Sequence, residues 1–203
     1  MDSDRGGPQP AAIEGGLGTC WFCGRAVSPR ALFCHNCGSV QNPAPLDPFT
    51  RLGLARRFDI DKAELARQYA GFKRILEPER FANRGPRERA IAEKHRAILA
   101  EAHATVLDPL RRALWLLEAE GIPVPTSLLA PPYAGEIEAA TDAATVDGIA
   151  RRISREQEAA VRGLSAAFRT GRMDTAAEQA ATLSRLAAAA AHLGHRRTEI
   201  APD

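Results

Sequence analysis

The chain has 203 residues and a formal charge of only +2 at pH 7, with 45% hydrophobic but 5% aromatic residues. So balanced a charge excludes an overall cationic field aimed at nucleic acid or an anionic membrane. No apolar run approaches the ~20 residues needed to cross a bilayer. The N-terminal MDSDRGGPQPAAIEGG lacks the apolar stretch of a secretory signal. The expected setting is therefore soluble and cytoplasmic, where thiols stay reduced and cysteines serve metals more often than disulfides.

In chain order, residues 1–18 are rich in Gly, Pro and small side chains and are expected to be disordered. Residues 19–42 hold all four cysteines. NPAPLDP (42–48) links them to residues 47–121, where apolar positions recur at helical spacing. Asp47 and Pro48 suit the start of a short helix, with Gly53 near its end. Asp61 with Glu64 fits a capping box opening a second helix, whose stripe is Leu65, Tyr69, Phe72 and Leu76. Pro78 is expected to stop it. A third helix spans about Pro86 to Leu107, with Ile91, Ile98, Ala102 and Val106 on or near one face. Asp108-Pro109 breaks it, and a fourth runs from Leu110 to Glu120, ending at Gly121. The second and third helices share a short loop and must pack antiparallel.

IPVPTSLLAPPY (122–133) separates this region from an Ala-rich helical bundle at 134–195. Ile137, Val146, Ile149 and Ile153 mark one apolar face, continued by Val161, Leu164 and Phe168. Gly171 reads as a turn and Asp174 as a cap, and Leu183, Leu186 and Leu193 line the last helix. The fold class is mostly α: an antiparallel helical hairpin and a C-terminal bundle, preceded by a small cysteine-bearing segment.

Cys20-Trp-Phe-Cys23-Gly24 and Cys34-His-Asn-Cys37-Gly38 form two C-x-x-C-G knuckles. The two-residue spacer brings both sulfurs to one face of a turn, and the glycine accepts positive φ. Two such turns build a closed four-cysteine site, the arrangement of structural zinc. An iron site of the rubredoxin type and a pair of disulfides are the alternatives. Four thiolates leave no open position for water, so hydrolysis at the metal is excluded. His35 is redundant as a ligand.

The remaining residues offer no Ser/His/Asp set and no phosphate-cradling glycine loop, so the chain does not read as an enzyme. His95 and His103 stand eight residues apart, too far for an i, i+4 ligand pair. His192 and His195 stand at i, i+3 near the end of the last helix. Arg25 and Arg30 are the few basic residues near the knuckles, too few for nucleic-acid binding.

Three stretches carry a family resemblance: PFTRLGL (48–54), LARQYAGFKRILEPERFA (65–82) and ILAEAHATVLDPLRRALWLLEAEG (98–121). In their order, and with Pro109, Arg112, Trp115, Leu116, Leu117 and Gly121 in place, they resemble HscB-type J-domain co-chaperones of iron–sulfur cluster assembly. Some members of that family also carry two cysteine knuckles ahead of the J-domain. The resemblance covers residues 19–121 by motif and the last third by layout. It implies a J-domain-like hairpin that recruits and regulates a DnaK/HscA-type heat-shock ATPase. It also implies a C-terminal bundle that binds an iron–sulfur scaffold protein.

In that family a His-Pro-Asp loop ends the second helix and contacts the ATPase. Here Glu77, Pro78 and Glu79 occupy those positions, so the motif is degenerate: the histidine is an anion and the aspartate is one methylene longer. With Arg67, Lys73, Arg74 and Arg80 they form the chaperone-binding set that the resemblance implies. Leu128, Leu129 and Glu136 are the scaffold-binding set. The alternative reading is a metal-stapled interaction adaptor whose J-like domain no longer stimulates an ATPase.

Overall fold

The computed structural model describes residues 16–126 and 130–200. They fold as a two-stranded ribbon, β1 (Gly18–Thr19) with β2 (Ala26–Val27), followed by seven helices. These are α1 (Pro48–Arg51), α2 (Lys62–Ile75), α3 (Pro86–Leu107), α4 (Pro109–Ala119), α5 (Ala134–Ala139), α6 (Ala143–Arg169) and α7 (Met173–Ile200). A 3₁₀ turn, Pro78–Phe81, lies between α2 and α3. Gly18, assigned from the sequence to a disordered tail, pairs with Val27 in the ribbon. No helix is long and apolar enough to cross a membrane among the described residues.

The chain divides into two compact units. One joins Met1–Asp47 to Ala70–Ala100, and the other joins Pro48–Tyr69 to Glu101–Asp203. Both α2 and α3 run through the two. Inside the first, Arg96 of α3 donates to the Leu76 carbonyl beyond the end of α2 at 3.0 Å. Inside the second, the Tyr69 ring of α2 stacks on His103 of α3 with centroids 4.0 Å apart. Residue numbers rise on one helix as they fall on the other, so the pair is antiparallel.

Local chemistry explains the helix ends. Asp61 accepts from the amides of Ala63 at 2.8 Å and Glu64 at 3.3 Å, satisfying donors that the first turn leaves unpaired. Asp108 does the same for Arg111 at 2.7 Å, with Pro109 at the first position of α4. Gly121 closes α4 at φ 69°. Pro78 stops the helix as expected and also begins the next turn. The helix ends at Ile75, Glu77 is extended at φ −53° and ψ 135°, and Pro78 opens the 3₁₀ turn.

Two expectations need correction. Ile98 stays 37% exposed, while Ile91, Ala92, His95, Leu99, Ala102, Thr105 and Val106 are the buried positions of α3. A histidine thus occupies a core position that the apolar pattern passed over. Asp174 is not the cap of α7, because the helix has begun by Met173.

In the second unit α6 and α7 pack lengthwise, and α5 caps their open end. Ile137, Val146, Ile149, Ile153 and Leu193 form one core with Ala140 and Ala189. The alanines let the helix axes approach closely, which compensates for the shortage of large rings. Phe168 of α6 stacks on Phe58 with centroids 5.1 Å apart.

Candidate functional site

The two knuckles repeat one backbone design. Cys20 N–H donates to Arg25 O, and Cys34 N–H to Ser39 O, at 2.8 and 2.9 Å. Gly24 and Gly38 return their amides to Cys20 O and Cys34 O, at φ 72° and 73°. That left-handed backbone is open to glycine without steric cost. The pairing Thr19–Ala26 in the ribbon recurs as the isolated bridge Phe33–Val40. Duplicate turns facing each other bring the four sulfurs within 4.8 Å of one another.

Those separations suit a metal. Tetrahedral zinc at about 2.3 Å from each sulfur needs sulfurs about 3.8 Å apart. Cys20 and Cys37 lie at 3.7 Å, and Cys23 and Cys34 at 3.8 Å. A disulfide needs about 2.05 Å, so all four cysteines are free. The donor set is that of a closed structural site held by Cys20, Cys23, Cys34 and Cys37.

Polar groups around the sulfurs favour thiolate. Ser39 Oγ sits 3.4 Å from Cys20 Sγ and 3.2 Å from Cys37 Sγ. Gln41 Nε2 reaches Cys20 Sγ at 3.3 Å, and Asn36 Nδ2 reaches Cys23 Sγ at 3.6 Å. Burial works against the Cys20 thiolate. The Ser39 hydroxyl and the Cys23 and Phe22 amides outweigh it and hold that thiol down at about 5. Ser39 likewise lowers Cys37. At Cys23 the Arg25 amide lowers the pKa, but burial and the neighbouring Cys37 and Cys20 sulfurs carry it upward.

The cysteine segment and the tip of the hairpin share the first unit. Phe33 stacks on Phe81 with centroids 6.3 Å apart and planes 12° from parallel. Arg87 lies over the Trp21 ring at 4.1 Å, and Trp21 Nε1 donates to Val40 O at 2.6 Å. His95 Nε2 meets Gln41 O at 2.8 Å. Spacing within the knuckles pointed to the cysteines. Nothing in the sequence pointed to Phe33, Ser39, Gln41 or His95, each of which has a partner distant along the chain. Phe81 alone left a signal, as the apolar residue closing an otherwise polar turn.

Glu77, Pro78, Glu79 and Arg80 are all exposed, as are Arg67, Lys73 and Arg74 on α2. Helical periodicity sets Arg67 and Arg74 opposite the stripe that includes buried Leu65 and Leu76. Leu128 and Leu129 lie outside the described residues. Glu136 is exposed and bound to Arg152 through two contacts of 2.6 and 3.1 Å, and that guanidinium lowers its pKa. Arg152 also covers the Tyr133 ring at 4.6 Å. His103 is pushed down by burial. His192 is half-buried and His195 exposed. The four cysteines alone form a metal-ligating group among the described residues.

No protein-family model matches the chain. Over 110 residues it is 36% identical to human iron–sulfur cluster co-chaperone protein HscB, covering 52% of this chain and 47% of that protein. It is 38% identical over 79 residues to the co-chaperone protein HscB of Proteus mirabilis, covering 39% and 46%. The chain thus spans about half the length of the curated relatives it matches. The crystal structure of human HscB superposes with a TM-score of 0.77 at 26% identity, covering 90% of this chain and 100% of that one. HscB from Vibrio cholerae shares the fold at a TM-score of 0.64. In sequence over about half of its length, and in fold, the chain is similar to HscB-type co-chaperones.

Proposed function

We propose that the chain is a co-chaperone that recruits and regulates a DnaK/HscA-type heat-shock ATPase for iron–sulfur cluster assembly or transfer on a scaffold protein. The observation that carries this reading is the exposed Glu77-Pro78-Glu79 turn at the end of an antiparallel helix pair. The human relative named as an iron–sulfur cluster co-chaperone supplies the biological setting.

The work is binding rather than chemistry, and no residue of this chain need be catalytic. Glu79 presents a carboxylate that a partner arginine can hold in a bidentate pair. The exposed cations Arg67, Lys73, Arg74 and Arg80 steer the turn toward an acidic surface and speed encounter. Docking stimulates hydrolysis only insofar as the turn binds the active state of the ATPase more tightly than the resting one. Leu128, Leu129 and Glu136 would meet the scaffold, with Glu136 exchanging Arg152 for a partner cation. A structural zinc, or alternatively iron, would hold the knuckles closed.

Glu77 favours a second reading. An anion stands where the resembled family has an imidazole, and a carboxylate left unpaired on docking costs affinity. On that reading the chain is a metal-stapled adaptor that binds partners without stimulating hydrolysis. ATP turnover by the DnaK-type ATPase of the same organism, with and without this protein, separates the two. Stimulated turnover supports the co-chaperone, binding without stimulation supports the adaptor, and neither binding nor stimulation overturns both.

A further inference from the structure

We infer that the docking turn is positioned from outside the hairpin, by Phe33 and Gln41 of the metal-binding segment. Metal occupancy therefore sets how well ordered the turn is. The inference deepens the co-chaperone reading and rests on it for its functional consequence. Its structural content stands on contacts within one unit.

Three contacts from the cysteine segment reach residues on the C-terminal side of Glu77-Pro78-Glu79. Phe33, next to the ligand Cys34, stacks on Phe81, the last residue of the 3₁₀ turn that contains Pro78, Glu79 and Arg80. Trp21, next to the ligand Cys20, carries Arg87 from the first turn of α3 over its ring. Gln41 joins the metal site to α3 through one residue. Its side-chain amide donates to Cys20 Sγ and to Ser39, while its backbone carbonyl accepts from His95 Nε2. Gln41, Ser39, His95 and Phe81 are each 5% exposed or less, so these groups are held in the interior.

On the N-terminal side the turn is held by buried Leu76, whose carbonyl accepts from Arg96 at 3.0 Å. The turn's own backbone bonds are short-range, from Arg80 to Glu77 and from Ala82 to Glu79, and its side chains apart from Phe81 are exposed. A cysteine segment this small depends on metal for its fold, because the ligated thiolates stand in for a core. Loss of metal therefore removes the Phe33 ring and the Gln41 carbonyl together, and Phe81 loses the stacked partner that seats the turn. Whatever strips the thiolates, whether a chelator or an oxidant, reaches the ATPase-facing turn without touching it.

The test is amide hydrogen exchange by NMR on the full chain, zinc-loaded and after chelation, beside zinc-loaded Phe33→Ala, Phe33→Tyr and Gln41→Leu variants with measured zinc content. Chelation is expected to abolish protection at Arg80, Ala82 and Arg84 while leaving α6 and α7 unchanged, and zinc is expected to restore it. Phe33→Ala should keep its zinc yet lose roughly threefold to tenfold of that protection, the range of an aromatic pair. Phe33→Tyr should behave as wild type. Unchanged protection on chelation, or in a zinc-loaded Phe33→Ala protein, overturns the inference. So does a loss that spreads equally through α6 and α7. ATPase stimulation is measured in parallel. A wild-type protein that fails to stimulate refutes the co-chaperone reading while leaving the exchange result to decide the positioning role.

Discussion

The Arg112 guanidinium on α4 lies 4.8 Å from the Phe58 ring centroid and donates to the carbonyls of Val106 and Leu107 at the end of α3. It is 5% exposed, and burial lowers its pKa while Asp108 and Asp59 oppose that shift. One buried cation thus closes α3, whose last carbonyls have no helical partner, and orders the segment before α2. Arg112→Ala is expected to destabilise the protein by about 3 kcal/mol, since each charged hydrogen bond contributes about 1.5–3 kcal/mol. Arg112→Lys should recover less than half, because an ammonium has no planar face to lie on the Phe58 ring. Chemical denaturation followed by circular dichroism measures both.

At the cysteine site, one metal ion per chain is expected in the purified protein, and Cys34→Ser should lose it. Protons compete for the thiolates, so affinity should rise with pH over roughly pH 5 to 8. The sign follows from the thiols. Cys20, held at about 5, is ligand-competent through that window, whereas Cys23 is raised and needs higher pH to deprotonate. Zinc release to a colorimetric chelator across pH measures the slope. An affinity independent of pH would contradict thiolate ligation. An optical spectrum separates iron, which is coloured, from zinc, which is not.

Asp142 caps α6 by accepting from the Thr145 amide and hydroxyl, both at 2.8 Å, and those bonds lower its pKa, the amide most. A depressed carboxylate contributes stability above its unfolded value and loses it as pH falls through the folded one. Asp142→Ala should therefore melt below wild type at neutral pH, and the gap should close on acidification below the normal carboxylate range. Asp108→Ala, at the start of α4, is expected to cost about 1 kcal/mol.

Glu77→His with Glu79→Asp tests the docking role proposed for this turn. Removing an anion that a partner must desolvate, and restoring the shorter carboxylate, should strengthen binding to the ATPase by roughly tenfold. Surface plasmon resonance and steady-state ATP turnover read the change. An unaltered or weaker interaction would show that this chain's partner is matched to Glu77.

Residues within a few positions of one another determined much of this protein in advance. Pro86 and the Asp108-Pro109 break bounded α3 at both ends, Asp61 announced α2, and the cysteine spacing announced the four-sulfur cluster. Each is a local effect, set by φ restriction, an amide donor in reach, or the span of a turn. Folding decided the rest, because it depends on which distant groups meet. His95 is a core residue only because Gln41 presents it a carbonyl, and Ile98 is exposed because no described element covers that side of α3. Phe33 and Phe81 stand far apart along the chain, and stacking depends on where the backbone carries the two rings. No periodicity encodes that meeting, so only the tertiary structure could show the cysteine segment seated beside the Glu77-Pro78-Glu79 turn.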